Sequence, residues 1–435
     1  MRIGLVEFLL LFAIASLTVG PQVALFVDRW LRRANRANAR AARRRAEYAA
    51  QMAQEREALL KRFRTASTVF GVCVLLALVY ALVFRPIDTP PEVYSAPAAP
   101  AGENVPTLTV EQKSAAQLDG YQGVDCIRRK DGLTYAAAYR GSALKKRKSD
   151  LVRTDGSNAT AILTVDGELT GFAFDAAGDL WLTVLTPTGG TLCRAGHDSW
   201  GTAVEQVVTQ IDGAPLGAVS AVEVGADGKV YFAVATGASA ENGLKSALST
   251  ELIAHTGTGC VYVYDPRARS VQKVLGGVAG ASALALDADG QTLYVADLGS
   301  RCIWAVDADA RELTAGGRDC TLFAQELPGY PGTIAVDTDG SVYVGCRWTR
   351  CGWLEDHADG TLLRGMALRV SQSMQERLLP MDGDTAVLCC YGTDGSCRTA
   401  AAAGKTGGGV TAVCPDGSKL YFAAAGSSRI RNANL

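Results

Sequence analysis

The sequence predicts an all-β protein, a six-bladed β-propeller preceded by an N-terminal α-helical transmembrane hairpin. Three observations lead to this prediction. A strand–turn–strand pattern recurs six times, glycine accounts for 47 of the 435 residues, and two uncharged runs lie near the N-terminus. Abundant glycine favours turns and β-structure over a helical bundle, in agreement with the repeat.

Each copy of the repeat has an apolar strand, a turn that ends in glycine, and a second strand that carries Tyr or Trp. The turn glycines are Gly132, Gly178, Gly228, Gly290, Gly340 and Gly417, at intervals of 46, 50, 62, 50 and 77 residues. Strands joined through Asp-Gly or Ala-Gly are typical of β-hairpins. The spacing predicts a propeller with about four strands per blade over residues 118–435. Unrelated hairpins in a β-sandwich are the alternative.

Two of these intervals are long enough to hold insertions. Ala238–Thr256 is predicted to form a short helix or a loop over the blades, and Cys346–Pro380 contains a second insertion with a helical MQERLLP segment. Loops on a rigid propeller commonly carry the binding function. A seventh blade near Asp382-Gly383 is the alternative use of the longest interval.

The first 84 residues are predicted to form a membrane hairpin. Phe8–Val27 and Thr65–Phe84 are uncharged runs of 20 residues, which is the length that crosses a bilayer as a helix. A cleaved signal peptide is the alternative for the first run, and a buried globular helix is the alternative for the second.

The segment between the runs, residues 28–65, is rich in Ala, Arg and Glu and is predicted to be helical. It carries 12 basic and 4 acidic side chains, so it is expected on the cytoplasmic side, in contact with anionic lipid headgroups. The propeller then lies on the extracellular, periplasmic or lumenal side. Nucleic-acid binding is not expected, because membrane topology and contact with anionic lipid headgroups already explain the basic segment. Residues 85–117 contain 6 of the 14 prolines and are predicted to be an extended linker.

Several segments resemble the strictosidine synthase-like family, within the wider group that includes SMP-30/gluconolactonase-like and paraoxonase-type propellers. They are GTGCVYVYDPRARSVQKVL (257–275), ALALDADGQTLYVADLGSRCIWAV (283–306), ELPGYPGTIAVDTDGSVYVG (326–345) and VTAVCPDGSKLYFAAAGSSRI (410–430). The resemblance implies a six-bladed propeller, as the repeat does independently. Membrane-anchored relatives with one N-terminal span are similar in layout.

The resemblance also implies where a Ca²⁺ site would lie. Metal-dependent members of the group place acidic and amide side chains at the start of the inner strands, facing the central channel. The matching positions are Gly123 or Val124, Thr170, Ser220, Ser282, Gly332 or its neighbour Thr333, and Gly409. None of these residues is a carboxylate, so the ring predicts no metal ligands, and Thr170, Ser220, Ser282 and Thr333 are predicted to line the channel.

Catalytic candidates are few. The catalytic Glu of the plant synthase has no counterpart, because no acidic residue lies between Cys397 and Pro415. Asp297, in ADLGSR at a strand end, is a candidate whose other role is to cap a turn, and His255 is a candidate general base. The three histidines have no metal-binding spacing, and no cofactor is expected.

Cysteines and one sequon bear on the compartment. Eleven of the 12 cysteines follow the linker, and Cys302 with Cys320, or Cys346 with Cys351, are disulfide candidates on an extracytoplasmic domain. Buried free thiols are the alternative. Asn158-Ala159-Thr160 is a potential glycosylation site.

Two functions remain open at this point. The first is a propeller with a degenerate metal site that binds a small molecule or a protein partner. The second is an ester or lactone hydrolase, similar to arylesterases or lactonases, that acts at the propeller channel.

Overall fold

The computed structural model describes residues 42–434 apart from 101, 107, 142, 143, 380 and 382, together with residues 22, 25 and 26. The chain forms two compact units. One contains the N-terminal helix, and the other contains residues 88–368 and 372–435.

The N-terminal unit contains one long helix, α1 (Ala42–Val79), which continues through a π-helical turn at Tyr80–Phe84. The part from Gln51 to Phe84 is long and apolar enough to cross a membrane, by length and composition alone. The described part of the predicted basic segment and the predicted second span therefore belong to one continuous helix. The first predicted span, Phe8–Val27, lies outside the described residues except at three positions, so the hairpin stays a prediction.

The second unit is a six-bladed β-propeller, as the repeat predicted. Two short strands, β1 (Leu108–Thr109) and β2 (Lys113–Gln117), precede the first complete blade. Blade 1 contains β3 (Gly123–Lys130), β4 (Leu133–Arg140), β5 (Lys148–Thr154) and β6 (Ala159–Asp166). Blade 2 contains β7 (Glu168–Phe174), β8 (Leu180–Thr186), β9 (Gly189–Ala195) and β10 (Glu205–Val208).

A small hairpin, β11 (Gln210–Ile211) and β12 (Ala214–Pro215), leads into the third blade. Blade 3 contains β13 (Ala218–Val224), β14 (Val230–Thr236), β15 (Gly259–Asp265) and β16 (Ser270–Val278). Blade 4 contains β17 (Ala281–Leu286), β18 (Thr292–Asp297), β19 (Cys302–Asp307) and β21 (Thr321–Ala324), while β20 (Leu313–Thr314) pairs with β16 in blade 3.

The last two blades each include a strand from the N-terminal side of the propeller. Blade 5 contains β22 (Gly329–Val336), β23 (Val342–Thr349), β24 (Thr385–Tyr391) and β25 (Cys397–Lys405), with β1 parallel to β25. Blade 6 contains β26 (Val410–Asp416), β27 (Lys419–Ala424) and β28 (Arg429–Ala433), and β2 is its outermost strand.

The six predicted hairpins connect the first and second strands of the six blades. Their turns need a residue with positive φ, which glycine adopts without strain, as at Gly132 (75°) and Gly228 (83°). The interval that left room for a seventh blade is filled by blade 5 and its insertion. Of the two residues that were to mark that blade, Asp382 lies outside the described residues.

Both predicted insertions are helical. The first contains α2 (Leu244–Ala254), and the second contains α3 (Gly352–Asp356), α4 (Thr361–Arg369) and α5 (Gln372–Leu378). We call α2–α5 the lid helices. Their apolar side chains, among them Leu248, Leu252 and Leu354, share one buried cluster with Trp348 at the end of β23. Burial of this cluster packs the two insertions together on one end of the propeller.

The predicted linker, residues 85–117, is in large part a component of the propeller. Its last five residues form β2, so the boundary predicted at residue 118 lies one strand too late. A stretch that we call the strap, residues 92–98, is bound to the lid helices. Glu92 N donates to Ala254 O (2.8 Å), and Tyr94 Oη donates to Leu354 O (3.1 Å). Composition rich in proline therefore predicted the extended backbone but not its docking.

Candidate functional site

The inner strands of the six blades share one irregularity. Each has a register shift that leaves one residue without a partner on the second strand. These bulge residues are Asp125, Thr170, Ser220, Ser282, Gly332 and Thr411, and all six line a narrow central cavity of about 40 Å³. A bulge re-aims a side chain, here toward the propeller axis. The four channel-lining residues named from the sequence, Thr170, Ser220, Ser282 and Thr333, lie in this wall.

The sequence-based ring is wrong at its first and last positions. The bulges place Asp125 where Gly123 or Val124 was expected, and Thr411 where Gly409 was expected. The bulge is common to all six blades, but the hairpin turns of blades 1 and 6 contain two residues (131–132 and 417–418) where the other four contain five, so a fixed count back from the turn fails in these two blades. The expectation that the ring has no carboxylate is therefore wrong, because Asp125 supplies one.

Most hydroxyl groups of the ring are used to hold the blades together. The bonds run from Ser220 Oγ to Ala281 O (2.5 Å), from Ser282 Oγ to Pro331 O (2.7 Å), from Val413 N to Thr333 Oγ1 (3.3 Å) and from Thr411 Oγ1 to Val124 O (2.6 Å). Each joins an inner strand to that of the following blade. Thr170 instead bonds within its own blade, to Thr183. Because these hydroxyls satisfy neighbouring backbone groups, their role here is structural.

Charged residues gather where the inner strands begin, at the end of the channel that we call the mouth. Glu168, the first residue of β7, forms an ion pair with Arg147 (Nη1–Oε1, 2.7 Å). The same carboxylate accepts a hydrogen bond from Leu244 N (3.0 Å), the first residue of α2. Arg147 also lies over the Tyr139 ring, 4.1 Å from its centre. The mouth is thus tied directly to a lid helix.

Asp125 lies in this charged group. Burial, and then the nearby Glu168 carboxylate, raise the pKa of Asp125 to about 7, although Arg147 and Arg347 act in the opposite direction. Two carboxylates in one enclosed place cannot both ionise cheaply. Asp125 therefore exchanges its proton near neutral pH, as catalytic and ligand-binding carboxyl groups often do.

Arg347 reaches the mouth from β23 in blade 5. A Cβ atom on Gly332 would lie 2.4 Å from Arg347 Cβ, so the absence of a side chain at Gly332 makes room for the arginine. Arg347 is 9% exposed, and its guanidinium lies 5.7 Å from the centre of the Trp348 ring. It makes no hydrogen bond or ion pair with any residue that the structure describes. In blade 5, a cation thus stands beside the position where the metal-dependent relatives are expected to place a carboxylate.

The wall contains a second charged pair deeper in the channel. Arg128, three residues after Asp125 on β3, forms an ion pair and hydrogen bond with Glu223 on β13. The pair connects blade 1 to blade 3, and Arg128 Nε also bonds to Phe172 O in blade 2 (3.4 Å). Burial raises the pKa of Glu223, and the Arg128 charge opposes that shift. This pair fixes three inner strands at a single point.

The residues do not fit a Ca²⁺ ion. Calcium needs six to eight oxygen ligands with several carboxylates among them. The ring supplies Asp125, hydroxyls that are already bonded, and the positive charges of Arg147 and Arg347 nearby. Within the described part of the chain, no group of three or more His, Cys, Asp or Glu side chains is arranged to hold a metal ion.

The two catalytic candidates lie away from the cavity wall. Asp297 is buried at the end of β18, where it accepts hydrogen bonds from Ser300 N (3.1 Å) and Trp304 Nε1 (3.0 Å). These are the contacts of a residue that caps a turn. His255 follows α2 and stacks on Tyr94 of the strap, with ring centres 3.6 Å apart. Burial, and then the Arg364 charge, lower the pKa of His255 to about 4.

The twelve cysteines, all within the described residues, are free thiols. Cys302 and Cys320 do not face each other, because β19 and β21 pair Ile303 with Ala324 and Ala305 with Thr321. That register places the two thiols at opposite ends of the strand pair. Cys346 and Cys351 are also unbonded, and Cys346 lies beside Cys389 instead. The proposed disulfides are therefore not supported, and the alternative of buried thiols describes the structure. Asn158 is exposed in the turn between β5 and β6, and its glycosylation stays a prediction.

Comparisons with known proteins agree with this architecture. A family model described as SMP-30/gluconolactonase/LRE-like region matches residues 169–375. No curated protein matches the sequence significantly. Among solved structures, the chain is similar to a gluconolactonase from Xanthomonas campestris, with 16% identity and a TM-score of 0.51 over 81% of this chain and 99% of that one.

A luciferin-regenerating enzyme is also similar, with 15% identity and a TM-score of 0.51 over 75% of this chain and 95% of that one. At such identities the likeness demonstrates the fold alone. Residues 169–375 therefore match the SMP-30/gluconolactonase/LRE-like model, and they form part of a six-bladed β-propeller.

Proposed function

We propose that this protein is a membrane-anchored propeller that binds a small molecule at the channel mouth, beneath the lid helices, without a metal ion. The observation that carries this proposal is the chemistry of the six bulge positions. Their hydroxyls hold neighbouring strands, and the two carboxylates at the mouth, Asp125 and Glu168, lie beside two arginines whose positive charge opposes Ca²⁺ binding. What remains at this end of the channel is an enclosed, titratable polar site.

The membrane anchor is proposed from α1, whose apolar part is exposed within its own unit and long enough to span a bilayer. The arginines that precede this apolar part favour a cytoplasmic position for the basic end. The propeller would then lie on the extracytoplasmic side, as a strictosidine synthase-like domain of the wider group.

The experiment uses the full-length chain in detergent micelles. Ca²⁺ is expected to leave the unfolding temperature unchanged, because the described residues form no cluster that could hold a cation, whereas a ligand of the mouth should raise it. A metabolite library screened by thermal shift would identify such ligands. A clear stabilisation by micromolar Ca²⁺, abolished by Asp125→Asn, would contradict the proposal.

A second candidate function is ester or lactone hydrolysis without a metal. One observation favours it: the carboxyl of Asp125 exchanges its proton near pH 7 beside two arginines, which is the arrangement of a general base with electrostatic support for an oxyanion. The solved structure from X. campestris is named a gluconolactonase. Hydrolysis of aryl esters or lactones by the wild type, lost in Asp125→Asn and retained in the surface variant Arg153→Gln, would favour this candidate over binding alone.

A further inference from the structure

We infer that the ligand of the mouth is a small organic carboxylate, a monoanion held by Arg347 and Arg147 and taken up together with a proton on Asp125. This inference rests on the proposed binding function and names the chemical class of its ligand. Three features of the mouth support it, one for each of these side chains.

The first feature is the lack of a partner for Arg347. The Arg347 side chain is nine-tenths buried and its guanidinium has no acceptor among the described residues, so its donors depend on water or on a ligand. Buried polar groups without partners are rare in folded proteins, and each needs a reason. A carboxylate ligand would supply that reason, since it accepts two parallel N–H bonds from one guanidinium.

The second feature is an unused donor on Arg147. Its Nη1 is committed to Glu168 and its face to Tyr139, but its Nε is buried without a partner. Arg147 and Arg347 both lie near enough to Asp125 and Tyr139 to affect the pKa values of those two residues, so the two guanidinium groups belong to one charged group at the mouth. Their free donors are therefore available to a single anion.

The third feature is the charge of the mouth. Arg147 and Arg347 contribute two positive charges, and Glu168 contributes one negative charge through its ion pair. When Asp125 is ionised the sum is zero, and when it is protonated the sum is +1. A protonated Asp125 also offers an O–H donor. A monoanion thus matches the protonated form in charge and in hydrogen bonding, whereas a dianion such as phosphate exceeds the available charge.

The groups that face Asp125 are Glu168, Arg147, Arg347 and Tyr139. Asp125 is accordingly the group that links carboxylate binding to pH in this window, and binding is expected to strengthen as the pH falls from 8 to about 6.

Trp348 provides an internal probe, since its ring lies beside the Arg347 guanidinium. The experiment titrates the full-length chain with acetate and propionate, and in parallel with the neutral isosteres acetamide and propionamide and with phosphate. Tryptophan fluorescence is measured at pH 6 and pH 8, and Trp348→Phe identifies the part of the signal that comes from the mouth. Calorimetry gives the affinity independently.

We expect the carboxylates to bind and the amides to bind at least tenfold more weakly. Arg347→Gln should weaken carboxylate binding at least tenfold, and Asp125→Asn should remove the difference between pH 6 and pH 8. Arg153→Gln replaces an exposed arginine on β5 and serves as the matched control with unchanged binding. Unchanged thermal unfolding of Arg347→Gln would separate lost binding from lost folding.

Three results would overturn the inference. They are equal binding of carboxylates and amides, tighter binding of phosphate than of carboxylates, and unchanged carboxylate affinity in Arg347→Gln. If one of these results is obtained but another ligand still alters the Trp348 fluorescence, the inference about carboxylates fails and the proposed binding function is retained. If neither these probes nor the metabolite library alters that signal, both the inference and the proposed function fail.

Discussion

Two of the three buried arginines among the described residues have completely different surroundings. Arg364, on α4, is fully buried, and each nitrogen of its guanidinium donates to a backbone carbonyl. The acceptors are the carbonyl oxygens of Glu92, Ile253, Ala254, His357 and Ala358. Arg347, at the mouth, is buried almost as far and has no such acceptor.

The difference separates a structural charge from a functional one. The hydrogen bonds of Arg364 compensate its desolvation and connect the strap, α2 and the segment between α3 and α4. Arg347 makes no hydrogen bond or ion pair with any described residue, so its burial makes sense in relation to something that binds. Substitutions of these two arginines, and of other buried polar residues, should therefore differ widely in their effect on stability.

Replacement of Arg364 by methionine is expected to cost about 4 kcal/mol of unfolding free energy, because it leaves several buried carbonyl groups without a donor. The same replacement at Arg347 should change stability by less than about 1 kcal/mol, or raise it, because an uncompensated buried charge is removed. Urea unfolding of the two full-length variants measures both values. Equal losses would show that Arg347 is structural after all.

The pair across the channel, Arg128 and Glu223, should show the cost of breaking a buried ion pair. Either Arg128→Met or Glu223→Met is expected to cost about 3 kcal/mol, since the partner keeps a buried charge without compensation. The double variant should recover a large part of that loss. A double-mutant cycle in urea gives the coupling, and additive losses would mean that the two side chains act independently.

His255 should make the protein sensitive to acid. Its pKa lies below its ordinary value of 6.5, at about 4, so the folded state binds fewer protons than the unfolded state between these pH values. Stability is therefore expected to fall by about 2 kcal/mol as the pH decreases from 6.5 to 4. Unfolding curves over this range measure the effect.

The matched control for this measurement is His197→Gln, which changes an exposed histidine and should leave the acid sensitivity intact. His255→Gln should reduce the sensitivity. An unchanged pH profile in His255→Gln would assign the acid sensitivity to other groups.

A single hydroxyl of the ring should contribute least. Ser220→Ala removes the hydrogen bond from blade 3 to Ala281 O in blade 4 and is expected to cost about 1 kcal/mol. The surface change Ser157→Ala should have no measurable effect, because that side chain is exposed. If Ser220→Ala lowers the unfolding free energy no more than Ser157→Ala does, the hydroxyls of the ring do not stabilise the fold.

The sequence predicted the repeating parts of this fold and missed the irregular ones. Asp-Gly turns and alternating strands identify hairpins locally, so the six blades and the helical insertions followed from short segments. Asp125 was missed because the hairpin turn of blade 1 contains two residues where those of blades 2–5 contain five, so a fixed count back from the turn ends one residue early, at Val124. The sequence shows a glycine, Gly332, where the metal-dependent relatives are expected to have a carboxylate. It does not show that Arg347 fills the space left by the missing side chain, because Arg347 lies 15 positions later, on another strand.

The docked strap was missed for a different reason. Proline restricts the backbone to extended conformations but does not say what the extended chain contacts. The acceptors that hold the strap are its main-chain carbonyls, which every residue carries. Arg364 donates to the carbonyl of Glu92, and Arg301 donates to those of Pro97 (3.0 Å) and Ala98 (2.5 Å). These contacts depend on where the fold places the two arginines, which sequence patterns do not encode.

Blade 6 sets the order in which the propeller can be completed. Its outermost strand, β2, precedes every complete blade, while its other three strands follow all the rest. During synthesis β2 therefore stays unpaired until its partner strand, β28, has left the ribosome. Closing a ring across more than 300 residues is slow, because the loop entropy is lost before the contacts form. An early, exposed strand of this kind is a natural target for a chaperone until the circle closes.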